Sequence, residues 1–565
     1  MLNKDYIEYL NTLHNVGAKN ENAIAEASQG SEFFKDIMVK RPTTDFIVRS
    51  LTDASPHIIL ITGHAGDGKT SLLIQVLREL NAGDGVLEPS GVVALPNGYN
   101  CIYIKDFSEF SAAQREEKLK DCLYQSKQGK FVILVANTGP LLNTFSELFS
   151  GEGEQVQMQL IDAIDTNSGE IKNIAGYAIR AINVASIDNS SFVKPFLQKL
   201  VSDKCFSKCN ECFKKSNCPI YNNKCLICEN SEKVYKFLRN HFIWQQEHGK
   251  RLTIRQIIAQ ITFALTAGLE CADVKNIDSK KYLFNNLFSN CLFGYKGVRH
   301  DRQALHVQAI YDLNANGYDN KGFVSDEDIF ILQDFTSFHP LVKEMILELK
   351  DNYTNGKNVL DWQKAVRRMY ILFNIETDID KNYETVKNIF SKKFPRYLEL
   401  RHGKAVNNDD KTLIMEAFSI LFVGHANKNT REISITMRRE NGVEQSVQML
   451  YGTIANRDIK LKVLNSSSCN FGEEEKKELF LEVMNKVIEY PVSLPLLNYF
   501  EDIRNGIIST NINPQLTHGI DSIKAQILAL CKPDLQSGII EMLVMGTTGY
   551  DNITIQEENN NWILI

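Results

Sequence analysis

The segment from residue 63 to residue 70 constrains this chain more than any other part of its sequence. It reads Gly63-His64-Ala65-Gly66-Asp67-Gly68-Lys69-Thr70. This fits a pattern of a glycine, four free positions, a glycine, a lysine, and a serine or threonine. The glycines allow the backbone to turn so tightly that successive amide N–H groups point at one place, where phosphate oxygens can bind. The sequence therefore predicts a phosphate-binding loop.

The residues on both sides of this loop support the prediction. Residues 57–62 form a short apolar run of strand composition, and residues 71–80 carry leucine and valine at helical spacing. A helix that begins at the loop adds the partial positive charge of its N-terminus. We expect Lys69 to reach the β- and γ-phosphates of ATP, and the Thr70 hydroxyl to ligate Mg²⁺, which prefers oxygen ligands. The predicted nucleotide-binding residues are Gly63, His64, Ala65, Gly66, Asp67, Gly68, Lys69, Thr70 and Ser71.

The pattern of the whole chain predicts an α/β fold in three parts. Apolar runs alternate with helical patterns over the first 190 residues, which is typical of a parallel sheet. Strand candidates are residues 57–62, 101–105, 131–136 and 181–187. We predict a P-loop NTPase core with N-terminal helices (residues 1–195), a cysteine-rich metal module with a helical lid (196–340) and a C-terminal α+β domain (341–565).

Hydrolysis of a nucleotide needs groups besides the loop, among them an acid that holds Mg²⁺ or orients the attacking water. Asp106 follows the second strand candidate, with Glu109 nearby, and the alternative is that Asp106 only starts a turn. Asn137 ends the next strand candidate and could sense the γ-phosphate, unless it is a plain turn former. Arg255, near a helix start, could reach phosphate, although surface arginines are usually solvated. The predicted catalytic residues are Lys69, Asp106, Asn137 and Arg255.

Six of the twelve cysteines lie within the segment 205–228. Cys209 and Cys212, like Cys225 and Cys228, have the separation at which two thiolates of one turn bind one metal ion. In a reducing compartment such a cluster indicates a metal site before it indicates disulfides. The spacing does not decide which thiols bind. We predict a Zn²⁺ site, with an iron–sulfur cluster and no metal at all as the alternatives. The candidate ligands are Cys205, Cys209, Cys212 and Cys218.

Composition limits the classes of protein to which the chain can belong. Of its 565 residues, 43% are hydrophobic and 23% are charged, which is ordinary for a soluble globular protein. The N-terminus lacks the apolar stretch of a signal peptide, and the longest apolar runs are too short to cross a bilayer. We therefore expect a cytoplasmic protein without membrane contact. The net charge of −6 argues against coating of nucleic acid, so DNA contact would depend on local patches such as the basic and aromatic residues 392–397.

Five segments of the first 330 residues carry a resemblance to a known family. They are the loop at 63–70, Lys105-Asp106-Phe107-Ser108-Glu109, Ala136-Asn137-Thr138-Gly139-Pro140-Leu141, the cysteine run from Cys209 through Cys212 to Cys218-Pro219-Ile220 with Asn223, and Arg251-Leu252-Thr253-Ile254-Arg255. In this order they resemble the DptF family, the ATPase component of DNA phosphorothioation-dependent restriction systems. The family more often has a glutamate where this chain has Thr138.

The resemblance implies an ATP-binding and ATP-hydrolysing subunit of a bacterial restriction or anti-phage defence complex. Such a subunit would work with a helicase-like partner and other subunits, and would act directly or through them on DNA that lacks a backbone phosphorothioate mark. Thr138 leaves the catalytic acid open, and two alternatives follow. One is a nucleotide-gated sensor that forms a homo-oligomer in response to an invader. The other is a scaffold that binds ATP and hydrolyses it only weakly.

Overall fold

Four apolar segments of the N-terminal half form adjacent parallel strands of one six-stranded sheet, whose strand order is β2-β3-β4-β1-β6-β5. The strands are β1 (Ile58–Thr62), β2 (Ser90–Ala94), β3 (Asn100–Ile104), β4 (Phe131–Ala136), β5 (Ile171–Ile174) and β6 (Tyr177–Asn183). This computed structural model describes residues 3–14, 32–81, 87–354, 358–374, 379–425, 432–436, 445–465, 471–473, 477–484, 488–507, 513–530, 538–546, 549–559 and 561–565.

The sheet is mixed, whereas the sequence predicted a parallel one. The inner strands β3, β4, β1 and β6 are parallel, but the edge strands β2 and β5 pair antiparallel with their neighbours. Both edges are hairpins with short turns. At the β5–β6 turn, Ala175 and Gly176 have φ of 50° and 79°, the left-handed conformation that closes a two-residue hairpin.

The central strands are buried on both faces of the sheet. Every residue of β1 and β4 is buried. Successive side chains of a strand point to opposite faces, so Ile59 and Ile61 belong to one apolar core while Ile58 and Leu60 belong to the other. The two cores hold the sheet rigid, and the carboxyl ends of its parallel strands therefore present their loops at fixed positions.

Helices accompany this sheet along the chain. The helical spacing of residues 71–80 corresponds to a helix at Lys69–Glu79. The fourth predicted strand lies earlier than expected, because residues 184–186 form a 3₁₀ turn in which the Asn183 side chain accepts a hydrogen bond from the Ala185 amide. The helices are α1 (Lys4–Leu13), α2 (Glu32–Ile37), α3 (Pro42–Asp53), α4 (Lys69–Glu79), α5 (Ala112–Lys127), α6 (Thr138–Leu148) and α7 (Gly153–Thr166).

A helical region follows the sheet, with one short hairpin of β7 (Tyr295–Lys296) and β8 (Arg299–His300). It includes the cysteine-rich segment, which ends in a helix. The helices are α8 (Val193–Leu200), α9 (Pro219–Glu229), α10 (Ser231–Glu247), α11 (Ile254–Thr266), α12 (Lys280–Asn285), α13 (Phe288–Leu292), α14 (Gln308–Ala315), α15 (Pro340–Thr354), α16 (Val359–Phe373) and α17 (Ile379–Ile389).

The chain forms two compact units. The first comprises Met1–Ile389 together with Ser466–Lys476, and the second comprises Phe390–Asn465 and Lys477–Ile565. The divisions predicted after residues 195 and 340 both fall inside the first unit. A segment as short as Ser466–Lys476 has no distinctive composition, so the sequence did not indicate that it belongs to the first unit.

The second unit combines two antiparallel sheets with helices. Its five-stranded sheet has the order β16-β15-β14-β10-β9, and its three-stranded sheet the order β11-β12-β13. None of the helices in the described part of the chain has the length and the apolar composition that a membrane span requires. The elements are α18 (Phe394–Arg401), α19 (Asn408–Val423), β9 (Glu432–Thr436), β10 (Val447–Ala455), β11 (Ile459–Asn465), β12 (Lys477–Val483), β13 (Ile488–Val492), α20 (Leu494–Arg504), α21 (Pro514–Leu530), β14 (Ile539–Met545), β15 (Tyr550–Glu558) and β16 (Asn561–Leu564).

Candidate functional site

The glycine-rich loop lies between β1 and α4, at the carboxyl end of the sheet. Gly63 and Gly66 have φ of 153° and 88°. A Cβ atom at Gly63 would approach Val184 Cγ2 to 2.7 Å, and one at Gly66 would approach Thr253 Oγ1 to 2.9 Å. Both positions therefore require glycine for steric as well as conformational reasons. Gly68, with φ of 79°, stands immediately before the first turn of α4.

Lys69 turns back over the loop that precedes it. Its Nζ donates hydrogen bonds to Gly63 O at 3.0 Å, His64 O at 2.8 Å and Asn137 Oδ1 at 2.8 Å. The side chain is buried, and burial is the main cause that lowers the pKa of Lys69 below its ordinary value. The carboxylates of Asp67 and Asp106 oppose this shift from a distance, and the cation of Arg255 adds to it. All three acceptors bonded to the ammonium group are uncharged.

Thr70 and Asp106 bring two oxygen ligands together beside Lys69. The Thr70 hydroxyl donates to Asp106 Oδ1 at 3.1 Å. Asp106 follows β3 with φ of 52°, and it precedes a 3₁₀ turn, Phe107–Glu109. A left-handed aspartate is uncommon, and here it directs the carboxylate to the start of α4. The structure thus places Asp106 beside Thr70, at the position where the sequence predicted an acid for Mg²⁺.

Asn137 lies in the middle of the site, because its strand β4 lies between β1 and β3. It precedes α6, but its side chain makes no cap hydrogen bond to that helix and instead accepts from Lys69. Its backbone N–H donates to Ser108 Oγ at 2.6 Å. Ser108 was not among the predicted site residues. It stands in the turn after β3, and its contact with Asn137 links the ends of two neighbouring strands.

Arg255 reaches the loop from the helical region. It lies in the first turn of α11, where Thr253 and Gln256 form a reciprocal capping box that fixes the helix start. The Arg255 backbone N–H donates to Gly66 O at 3.3 Å. Arg255, Ile254 and Ile258 contribute to the cavity wall at the loop. The helix α11 is therefore hydrogen-bonded directly to the glycine-rich loop.

Asp67 stabilises the loop through its hydrogen bonds. Its buried carboxylate accepts from Arg251 Nη1 at 2.8 and 2.9 Å, from Asn189 Nδ2 at 3.3 Å and from the His64 backbone N–H at 3.0 Å. Its carbonyl oxygen accepts from Arg41 Nη1 at 3.3 Å. Sequence reasoning missed Arg251, Asn189 and Arg41, since their partner lies far away along the chain.

Arg41 has a second buried partner, which comes from residues 471–473. Arg41 Nε donates to Glu473 Oε1 at 3.1 Å, and the Thr43 hydroxyl donates to the same oxygen at 2.6 Å. Phe471 packs on Phe46 with ring centroids 4.9 Å apart. Burial lowers the pKa of Arg41, while the Glu473 carboxylate acts in the opposite direction.

A cavity of about 320 Å³ opens beside the loop. Of the predicted nucleotide-binding residues, those that line it are Ala65, Gly66, Gly68, Lys69, Thr70 and Ser71. Gly63, His64 and Asp67 shape the loop from outside the cavity lining. Asp106, Asn137 and Arg255 line the cavity too, together with Ser108 and Glu109. One wall is apolar, and Tyr9, Leu13, Phe34 and Ile37 of the N-terminal helices form it.

The predicted metal ligands do not all share one environment. Cys205 is buried against α1, where its thiol hydrogen-bonds with Tyr6. Cys209, Cys212 and Cys218 lie in a series of tight turns before α9. Among the described residues, no three or more His, Cys, Asp or Glu side chains stand in an arrangement that could hold a metal ion.

The basic segment 392–397 is engaged within the second unit. Arg396 Nη2 donates to Asp410 Oδ2 at 2.5 Å, and its Nη1 donates to Glu399 Oε2 at 2.9 Å. Lys393 Nζ lies 3.0 Å from Glu501 Oε2. These acids neutralise the two cations, so the segment offers less positive charge to a DNA backbone than its sequence indicated.

Comparison of the chain with protein-family models, with curated proteins and with solved structures finds no match.

Proposed function

We propose that this protein is a Mg²⁺-dependent ATPase whose nucleotide binds at the glycine-rich loop. One observation carries the proposal: the buried Lys69 ammonium group is held at the loop by three uncharged acceptors. A buried cation without a carboxylate in direct contact keeps its attraction for an anion. The first-turn amides of α4 add donors and the positive end of the helix at the same place. A polyphosphate is the ligand that fits this combination.

The donor set beside Lys69 suits Mg²⁺. The Thr70 hydroxyl and the Asp106 carboxylate are both oxygen ligands, and their oxygens already lie 3.1 Å apart. When bound, Mg²⁺ would neutralise charge on the phosphates. Thr70 would contact it directly, and Asp106 would orient its water ligands. Neither role requires these side chains to leave their present elements.

The residues around the γ-phosphate position support hydrolysis. Asn137 accepts from Lys69, so a phosphate oxygen that takes over one Lys69 hydrogen would lie next to the Asn137 amide. Arg255 would add positive charge from α11 as charge develops on the transferred group. Glu109 lines the same cavity as Asp106, and it is our candidate to orient the attacking water, since position 138 is a threonine.

The apolar residues of the cavity lining suit a purine ring. Tyr9 and Leu13 of α1 and Phe34 and Ile37 of α2 are these residues. Ligand sites commonly combine such an apolar wall with a few polar groups that fix orientation. The base of ATP would stack there while the phosphates reach the loop.

The wider role remains tied to the sequence resemblance. We propose that the ATPase serves a cytoplasmic restriction or anti-phage complex, in which a helicase-like partner and DNA gate its turnover. The engaged basic segment 392–397 favours DNA contact through partner subunits over contact by this chain alone. The sensor and the scaffold remain as rivals, and the rate of hydrolysis separates them.

The test is nucleotide binding and steady-state hydrolysis by the purified full chain, with and without Mg²⁺ and duplex DNA. Lys69→Ala is the loss variant. Lys120→Ala is the matched control, because Lys120 is an exposed lysine on α5 paired only with Glu116. We expect Mg²⁺-dependent binding and turnover in the wild type and the control, and neither in Lys69→Ala. ATP binding without turnover under all conditions would favour the scaffold or a partner-gated sensor, and no ATP binding would refute the proposal.

A further inference from the structure

We infer that Cys271 completes a four-thiolate zinc site with Cys209, Cys212 and Cys218, and that Cys205 is not a ligand of it. The site would join the cysteine turns before α9 to the loop after α11, two segments that are far apart in sequence. This inference is independent of the proposed ATPase activity.

The first three thiols are held in a continuous series of tight turns. The Cys212 backbone N–H donates to Cys209 O at 3.2 Å, and the Lys215 N–H donates to Cys212 O at 3.1 Å. The Cys218 N–H then donates to Lys215 O at 3.4 Å. Cysteines in such turns present their thiols to a common point, as they do in structural zinc sites.

The loop that carries Cys271 is fastened to these turns. Lys214 Nζ donates to Cys271 O at 3.3 Å and to Val274 O at 2.7 Å. Asn217 Nδ2 donates to Asn276 Oδ1 at 3.4 Å. These contacts involve residues on both sides of Cys271 and residues from between the clustered cysteines. They therefore bring the fourth thiol to the turns without any contribution from Cys205.

Hydrogen-bond donors already surround the sulfur atoms. The Asn3 side chain hydrogen-bonds to the Cys209 thiol, and the Asn3 backbone hydrogen-bonds to the Cys271 thiol. Two thiols that share one small residue must lie close together. The Cys218 thiol receives hydrogen bonds from the backbone of Tyr221 and of Ile220 in the first turn of α9. Donors of this kind stabilise metal-bound ligands and fix their orientation.

Among the described residues, the four thiols do not stand in ligand geometry. The turns before α9 and the loop after α11 already lie in contact through Lys214, so binding of the metal would require the four thiol side chains to rotate inward.

The other cysteines of the segment face elsewhere. The Cys205 thiol hydrogen-bonds with Tyr6, and the Cys205 carbonyl accepts from Asn3 Nδ2 at 2.9 Å. Cys225 and Cys228 lie on α9 itself, and the Cys228 thiol donates to Val201 O at 3.6 Å. Because both residues lie on one helix, the spacing of Cys225 and Cys228 is that of residues one helical turn apart.

Four thiolates close a tetrahedral zinc site, and no position remains open for a substrate. Four cysteines also hold iron–sulfur clusters, so the test below measures iron beside zinc. Its role would be structural: it would lock the loop after α11 onto the turns before α9, and so steady the helix that carries Arg255.

The test is the metal content of the purified full chain, measured by elemental mass spectrometry for zinc and iron together. Cys271→Ser is the loss variant and Cys205→Ser the matched control. Cys271→His is a rescue, since three thiolates and one imidazole also bind zinc. We expect about one zinc ion per chain in the wild type, the control and the rescue, and at least a fivefold lower zinc content in Cys271→Ser.

A second measurement covers the case in which Cys271→Ser does not fold. Thiol alkylation of the folded wild type, mapped by mass spectrometry with and without a chelator, should show protection of Cys209, Cys212, Cys218 and Cys271 that the chelator removes. Cys228 should react in both conditions, since it is exposed. Zinc loss in Cys205→Ser with retention in Cys271→Ser would overturn the ligand set. Iron in place of zinc, or no metal after titration with zinc, would overturn the site.

Discussion

Lys69 at the end of the sheet and Arg368 in the helical region are both buried cations, with 8% and 1% of their surface exposed. Arg368 is neutralised by direct contact. It donates to Asp319 Oδ2 at 2.5 Å, and also to Asn290 Oδ1 and Gly297 O, and it lies 3.9 Å from the ring centroid of Tyr295. Among the described residues, the hydrogen-bond acceptors of Lys69 Nζ are uncharged. We interpret Arg368 as a cation that serves the fold, and we propose that Lys69 is held for an anion.

The largest expected effect is on the Arg368 side of this comparison. Arg368→Met removes one partner of a buried ion pair and leaves the Asp319 carboxylate uncompensated. The free energy of unfolding should fall by about 3–5 kcal/mol, as measured by denaturant unfolding. The double variant with Asp319→Leu should recover much of the loss. If the free energy of unfolding of Arg368→Met is close to that of the wild type, the buried ion pair is not what distinguishes Arg368 from Lys69.

The next effect concerns Lys69. Lys69→Ala should lower ATP turnover by about 100-fold or more, because it removes a donor aimed at the phosphates. The thermal midpoint should change little, since no buried carboxylate loses a contact partner. Stopped-flow or steady-state assays measure the ATP turnover, and calorimetric melting measures the thermal midpoint. A strongly destabilised Lys69→Ala with full turnover would reverse the comparison.

A smaller effect is expected at Asn137. Asn137→Ala removes the side-chain acceptor of Lys69 but leaves both loop carbonyls. Turnover should fall by about 10-fold, corresponding to one hydrogen bond to a charged group, while the dissociation constant for ATP changes less. Asn97→Ala is a suitable control, since Asn97 is a loop asparagine that bonds to Leu51 O and Thr52 O, away from the site. Equal losses in both variants would remove Asn137 from the catalytic set.

The finest test is the pH dependence of binding. Burial lowers the pKa of Lys69 in the ligand-free protein, and a bound polyphosphate would raise it again. ATP binding should therefore take up protons as pH approaches the lowered pKa, and affinity should fall as pH rises through it. Calorimetry in buffers of different ionisation enthalpy measures the uptake. Lys69→Arg keeps its charge, so its affinity should not show this fall.

The sequence was informative wherever the signal was local. The glycines, Lys69 and Thr70 follow one another, and Asp106 and Asn137 end strands whose apolar runs are easily recognised. Topology then brings the three strand ends together, because β4 lies between β1 and β3. Lys69, Thr70, Asp106 and Asn137 line one cavity, and their chemical roles remain predictions.

Signals that depend on distant partners were missed. Asp67 was assigned to nucleotide contact, but its carboxylate binds Arg251 and Asn189, which no spacing rule connects to it. The apolar cavity wall comes from α1 and α2, whose aromatic residues look like ordinary core positions. The edge strands β2 and β5 are short and only partly buried, so their alternation was too weak to identify.

The segment 471–473 has a practical consequence for dissection of the molecule. Glu473 belongs to the first unit, yet it follows a stretch of chain, Phe390–Asn465, that belongs to the second. A fragment that stops at residue 389 would lack Glu473, and both Arg41 and Thr43 would lose their buried acceptor. Limited proteolysis or truncation at that boundary would therefore yield a fragment that contains the glycine-rich loop but lacks the buried acceptor of Arg41, which itself hydrogen-bonds to that loop. If such a fragment did not bind ATP, the loss of Glu473 would explain the result without counting against the proposed site.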